Sequence, residues 1–184
     1  MLKKKNPQLK LLQDQPKAYG GELLKTRKGR SHPRPLDARN TMHLVLRSTK
    51  AKGGWSFKKR RHEGKISEIT DRFAKKYGVK IFSLANVGNH LHFQIKLTNR
   101  FGYYPFIRAV TAAIAMAVTG ASRWKPLKKE AKDHFWDCRP FTRVIRSFKE
   151  VLNLRDYIRI NKLEGYGYRR DEARLIVSAF NESG

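Results

Sequence analysis

The sequence has one cysteine in 184 residues, Cys138. A lone thiol closes no internal disulfide and cannot build a zinc site from several thiolates, which fits a reducing compartment. Acids are few as well: 15 Asp and Glu stand against 41 Lys and Arg, a formal charge of +26. Charge on this scale exceeds what solubility asks and implies a polyanionic partner. Long apolar runs are also lacking, none approaching the roughly 18 residues that span a bilayer. Met1 to Lys5 lead into Asn6-Pro7-Gln8, where a secretory signal has an apolar stretch and a small-residue cleavage site. The expectation is a cytoplasmic, nucleoid-associated protein with no membrane partner, whose polyanion is nucleic acid.

What is present suffices for one core, since 40% of residues are hydrophobic and a chain of this length closes a single domain. Residues 1–40 hold Pro7, Pro16, Pro33, Pro35, Gly20-Gly21 and many cations with no sustained apolar period. They read as a basic arm, flexible without nucleic acid, with Arg27, Lys28 and Arg30 as phosphate-binding candidates. Residues 41–184 are expected to form the single domain.

From Met42 to Arg47 apolar and polar residues alternate, which predicts a strand. A Gly-containing basic loop over 50–61 follows. Its Lys50, Lys52, Lys58, Lys59, Arg60 and Arg61 are phosphate candidates, and its Trp55 and Phe57 either stack on bases or pack the loop onto the core. Ile66, Ile69, Phe73 and Tyr77 recur at spacings of three and four before Gly78, predicting a helix over about 65–77. A strand over 79–87 and a tight connection at Gly88-Asn89 lead to a second strand. There Leu91, Phe93, Ile95 and Leu97 alternate with His90, His92, Gln94 and Lys96. Pro105 suits the first turn of a helix reaching about Val118, whose broad apolar surface fits deep burial or a subunit contact. Beyond a basic linker over 123–132 come a strand over 141–146 and helices over 148–163 and 170–181; Phe135, Trp136 and Phe141 read as core more than as a base platform. The first six elements have the ferredoxin-like order. The predicted fold class is α+β: an antiparallel sheet with helices packed on one face, plus a C-terminal helix.

Residues i and i+2 of a strand project to one face, so His90 and His92 are close enough to share a metal ion, on the side opposite Leu91 and Phe93. A strand His pair is common, and its weight depends on context. On the last long helix Tyr157 and Asn161 are four apart, hence on one face, beside the apolar stripe of Val151, Leu154 and Ile158. An isolated tyrosine in such a place is ordinarily a packing residue with its hydroxyl in water.

Asn89-His90-Leu91-His92, the segment from Trp136 to Phe141, and Asp156-Tyr157-Ile158 through Asn161 together resemble the HUH single-tyrosine transposases of insertion sequences, especially the REP-associated tyrosine transposases. The order and approximate spacing agree across about 42–165. The resemblance implies Tyr157 as nucleophile, His90 and His92 as metal ligands and Asn161 as a third ligand for Mg²⁺ or Mn²⁺. It implies a single-stranded DNA nickase-ligase, acting near hairpins through a 5′-phosphotyrosine, that is monomeric or homodimeric. A free phenol has a pKa near 10 and needs activation by the metal or nearby cations such as Arg159 or Lys162. Two other readings explain the charge: a domesticated, non-catalytic DNA- or RNA-hairpin binder of the same fold, and a ribosomal-type RNA-binding module. Neither accounts for His90, His92, Tyr157 and Asn161 together.

Overall fold

Alternation of apolar and polar side chains builds the sheet outward from its middle. In the computed structural model, which describes residues 19–20, 35–122, 124–125, 134–137 and 139–182, β1 is Tyr19–Gly20, β2 Thr41–Arg47, β3 Val79–Asn86, β4 His90–Leu97 and β5 Phe141–Ile145. The helices are α1 Arg60–Tyr77, α2 Tyr103–Thr119, α3 Phe148–Gly165 and α4 Arg170–Glu182. The strands lie in the order β1-β5-β2-β4-β3 and every neighbouring pair is antiparallel. The four longer strands with α1 and α2 make the expected ferredoxin-like α+β arrangement.

Met42, Leu44 and Leu46 of β2 and Leu91, Phe93 and Ile95 of β4 are fully buried against Ile66 and Ile69 of α1 and Phe106, Val110 and Ile114 of α2. Helix α1 ends where expected: Gly78 takes φ 65° and donates its N–H to the Ala74 carbonyl. It begins five residues earlier than the apolar spacing predicts, because His62 is itself buried, its Nδ1 2.8 Å from the Ser56 carbonyl. Arg60 and Arg61 therefore sit in the first helical turn and not in a loop. Phe57 is also corrected: it is fully buried core, so it is no base-stacking residue, and half-buried Trp55 packs against the same cluster. Trp136 and Phe135 join that core, and the Trp136 indole N–H donates to the Thr111 carbonyl at 3.0 Å.

By length and composition alone the segment Arg100–Thr119 is apolar enough to cross a membrane, with mean hydropathy 1.3. Run length missed it because Arg100, Pro105 and Arg108 interrupt the apolar residues. In this fold α2 is a core helix, burying Tyr103, Phe106, Val110, Ile114 and Val118.

The other face of the sheet is covered differently. Helix α3, N-capped by Ser147, whose Oγ accepts the Glu150 N–H at 3.2 Å, docks through Leu154 and Ile158 onto Ala85 of β3 and Ile145 of β5. Its last residue reaches β3 so closely that a Cβ at Gly165 would lie 2.5 Å from the Asn86 carbonyl oxygen. Helix α4 is tied to α3 by Asn181, which accepts from Arg155 at 2.9 Å and donates to Asp156 at 3.0 Å. Two residues of the expected arm, Tyr19 and Gly20, pair with Arg143 and Thr142 at the sheet edge. Arg27, Lys28 and Arg30 lie outside the described residues, as does Cys138.

Candidate active site

The antiparallel register sets Arg47 opposite His90, Val45 opposite His92 and His43 opposite Gln94. Since Met42, Leu44 and Leu46 face the α1/α2 core, His43 and Arg47 share the opposite face with His90 and His92. The His90 and His92 rings meet edge-on with centroids 4.7 Å apart. The His43 ring lies edge to edge with that of His92, centroids 5.4 Å apart and 18° between planes, with its Nε2 3.1 Å from His92 Nδ1. Helix α3 then brings Tyr157 over the pair: its ring stands edge-on to His92 at 5.4 Å and to His43 at 5.8 Å. The phenol keeps a face to solvent, the residue being 37% exposed.

Asn161, one helical turn on, is buried, and its side-chain N–H donates to the Tyr157 carbonyl at 2.7 Å. The amide nitrogen is thereby used within the helix, and the carbonyl oxygen is the atom suited to ligation. The Arg159 guanidinium pairs with Asn181 at 3.3 Å and Asp156 at 3.9 Å, so it is engaged on the α4 side of the helix. Exposed Lys162 adds charge nearby.

Burial dominates the electrostatics of the three imidazoles. It pushes His92 down to about 3, helped by His43 and His90, and His43 down to about 4, helped by Arg143. His90 is lowered by burial and by Arg47, with Glu164 opposing. All three are neutral at pH 7, the form that binds metals. His92 Nε2 is buried and has no hydrogen-bond partner among the described residues, an expense that a bound cation removes. His90 Nδ1 lies 2.6 Å from Asn89 Oδ1; donation there leaves Nε2 as the ligating lone pair. Among the described residues no three His, Cys, Asp or Glu side chains are arranged to hold a metal. The two imidazoles thus need a donor of another kind, and the Asn161 amide is of that kind. By donor chemistry two neutral imidazoles and an amide oxygen suit a divalent ion with open coordination positions.

A cavity of about 320 Å³ opens beside the phenol, lined by His43, Phe141, Arg143, Asn153 and Tyr157 among others. The basic loop docks at the histidine end of the sheet: Ser48 N–H donates to the Asn89 carbonyl at 2.9 Å and Phe57 N–H to the Gly88 carbonyl at 2.8 Å. Lys52, Lys59, Arg60 and Arg61 are exposed there, while Lys50 is half-buried. Lys58 is held inward, its ammonium 3.4 Å from Glu63 and 3.7 Å from the centre of the Tyr166 ring. Asp137 clips the preceding strand end, accepting from the backbone N–H and hydroxyl of Thr49, both at 2.8 Å.

Sequence reasoning missed His43. Its period-two relation to Arg47 was legible, but its neighbour depends on strand register, which a lone sequence does not disclose.

The sequence profile of the IS200-like transposases matches residues 38–161, from just before β2 to Asn161. The chain belongs to the IS200-like transposase family. Among solved structures it is similar to a REP-associated tyrosine transposase bound to a REP hairpin, with TM-score 0.57 and 13% identity over 74% of each chain; this shows a shared transposase fold. A chain from Deinococcus radiodurans R1 provisionally described as a transposase has 17% identity and TM-score 0.45, covering 72% of this chain and 95% of that one. No curated protein matches the sequence.

Proposed function

We propose that this transposase cleaves and rejoins single-stranded DNA beside hairpins, with Tyr157 as the nucleophile and His90, His92 and Asn161 holding Mg²⁺ or Mn²⁺. The observation that carries the reading is Tyr157 standing edge-on to His92, whose buried Nε2 has no protein partner.

The phenolic oxygen of Tyr157 attacks phosphorus as the bond from phosphorus to the 3′ oxygen breaks. A 5′-phosphotyrosine forms and a 3′-hydroxyl is released. The phosphodiester energy stays in the new ester, so return attack by a 3′-hydroxyl rejoins DNA without ATP. A divalent ion, when bound, supplies Lewis acidity to the scissile phosphate and stabilises the charge that develops on it. Docking of α3 through Leu154 and Ile158 fixes the phenol over the imidazoles. The cavity beside Tyr157 receives the flanking nucleotide of an unpaired strand. Lys50, Lys52, Lys59, Arg60 and Arg61, with Arg27, Lys28 and Arg30 of the arm, bind phosphates of the adjoining stem, and Lys58, held on Glu63 and Tyr166, is left out of that set. Single-chain geometry brings Tyr157 to the histidines, so a monomer suffices to assemble the site.

The test is incubation with Mn²⁺ and end-labelled, hairpin-flanked single-stranded DNA, followed by protease digestion and a denaturing gel. Wild type gives a covalent adduct. Tyr157→Phe loses it by at least about 10³-fold and keeps hairpin binding within about threefold. Tight binding with no adduct across a varied hairpin library overturns the reading in favour of a non-catalytic hairpin binder.

A further inference from the structure

We propose that His43 is the positioning residue of this site: it accepts a hydrogen bond from His92 Nδ1–H and so fixes the tautomer in which His92 presents Nε2 as a bare lone pair. The inference rests on the metal-binding part of the proposed function.

A neutral imidazole carries one N–H and one lone pair. His43 Nε2 and His92 Nδ1 are 3.1 Å apart on rings that lie nearly in one plane, edge to edge, with 18° between them and centroids 5.4 Å apart, so one of the two nitrogens carries the shared proton. With the proton on His43, His92 must hold its own on Nε2, which then becomes a buried donor without an acceptor. No cation relieves that arrangement. With the proton on His92 Nδ1, the unpartnered atom is an acceptor, and a cation satisfies it. Asn89 Oδ1 stands 2.6 Å from His90 Nδ1 and imposes the same choice on the other imidazole. His90 and His92 thereby offer matching Nε2 atoms, one set by an amide and one by His43.

His43 is not a ligand itself, because its Nε2 is spent on His92. Its surroundings hold it in place. Phe141 meets its ring edge-on at 6.0 Å, Tyr157 does so at 5.8 Å, and Arg143 of β5 is the charged group that acts on it. It therefore bridges the ligand strand and the nucleophile helix. A displacement of His43 moves His92 and the bed of the phenol together.

The experiment uses the full chain without DNA. Ring ¹⁵N NMR of the metal-free protein reads the tautomer of His92, and Mn²⁺ titration followed by electron paramagnetic resonance reads affinity. The expected results are an Nδ1–H tautomer for wild-type His92 and Mn²⁺ binding weakened about ten- to a hundredfold in His43→Phe. His43→Gln, whose amide oxygen accepts the same N–H, returns Mn²⁺ affinity to within about threefold of wild type. A merely structural role for His43 would not produce that rescue. An Nε2–H tautomer in wild type overturns the proposal, and so does a His43→Phe protein that binds Mn²⁺ as tightly as wild type. Wild-type protein that takes up no Mn²⁺ removes the metal from the proposed function and overturns the positioning role with it, an outcome distinct from loss confined to the variant.

Discussion

Gly165→Ala tests how tightly α3, the helix of the proposed nucleophile, is seated. The added Cβ would stand 2.5 Å from the Asn86 carbonyl oxygen, where ordinary contact begins at 3.4 Å, so the two must part by about 0.9 Å. Asn86 resists, since its side chain donates to the Phe57 carbonyl at 2.9 Å and accepts the Gly88 N–H at 3.0 Å. The helix end moves instead. If α3 pivots at its Ser147 cap, Tyr157 lies about halfway along the lever and shifts by roughly 0.5 Å, some 12 Å of helix separating it from Gly165. Overpacking of this kind costs about 1–3 kcal/mol, or a fall in Tm of roughly 2–12 °C for a domain this size. A displaced reacting group costs up to about 10² in rate. The expected result is adduct formation slowed about ten- to a hundredfold, with hairpin binding within about threefold of wild type. Gly64→Ala is the control: nothing lies within 4 Å of its new Cβ and it sits inside α1, so stability rises by up to about 1 kcal/mol with unchanged cleavage. Wild-type Tm and cleavage rate in Gly165→Ala would refute the argument that this contact seats the helix.

Three further outcomes are expected. In metal-free protein under chelator, stability is full above the ordinary histidine value of 6.5. It falls as pH drops toward the values near 4 and 3 held by His43 and His92, because the unfolded chain binds protons that the folded one refuses. At pH 5.5 the loss is on the order of 1 kcal/mol per group, read from urea midpoints, and a flat profile counts against neutral buried imidazoles. Mn²⁺ at about a hundredfold above its Kd adds about 2.7 kcal/mol, so wild-type Tm rises by at least about 5 °C while His92→Ala gains almost nothing. Replacing Lys52, Lys59 and Arg60 by Ala lowers the magnitude of the salt-dependence slope for hairpin binding by about 0.9 for each phosphate no longer neutralised; an unchanged slope takes these cations off the DNA path.

Where side chains alternate against a single core, the sequence was readable. Leu91, Phe93 and Ile95 are buried and His90 and His92 are turned to the other face, as a period of two demands. Tyr157 and Asn161 also fall on one helix face, as a spacing of four requires. The start of α1 was hidden by its own charge. A window dominated by Lys and Arg reads as loop, although His62, Ile66 and Ile69 already mark a helical stripe. Phe57 lay among cations and was open to two readings; the hydrogen bonds of its backbone to Gly88 and Asn86 decide for the core. The role of His43 needed the offset between β2 and β4, fixed by packing across about fifty residues of intervening chain. The edge pairing of Tyr19 and Gly20 is too short to leave a periodic trace.

Strand β2 is the first long strand in sequence yet lies in the middle of the sheet, between β4 and β5. A single domain folds as a unit, so the sequence order of its strands says nothing about which contact forms first. The pairing of β4 with β2 sets the imidazoles side by side within the sheet, whereas the phenol is carried by α3, which is seated from outside on Ala85 of β3 and Ile145 of β5. Loosening of α3 alone, held there by Leu154 and Ile158, would part the phenol from the histidines and leave the sheet that carries them intact.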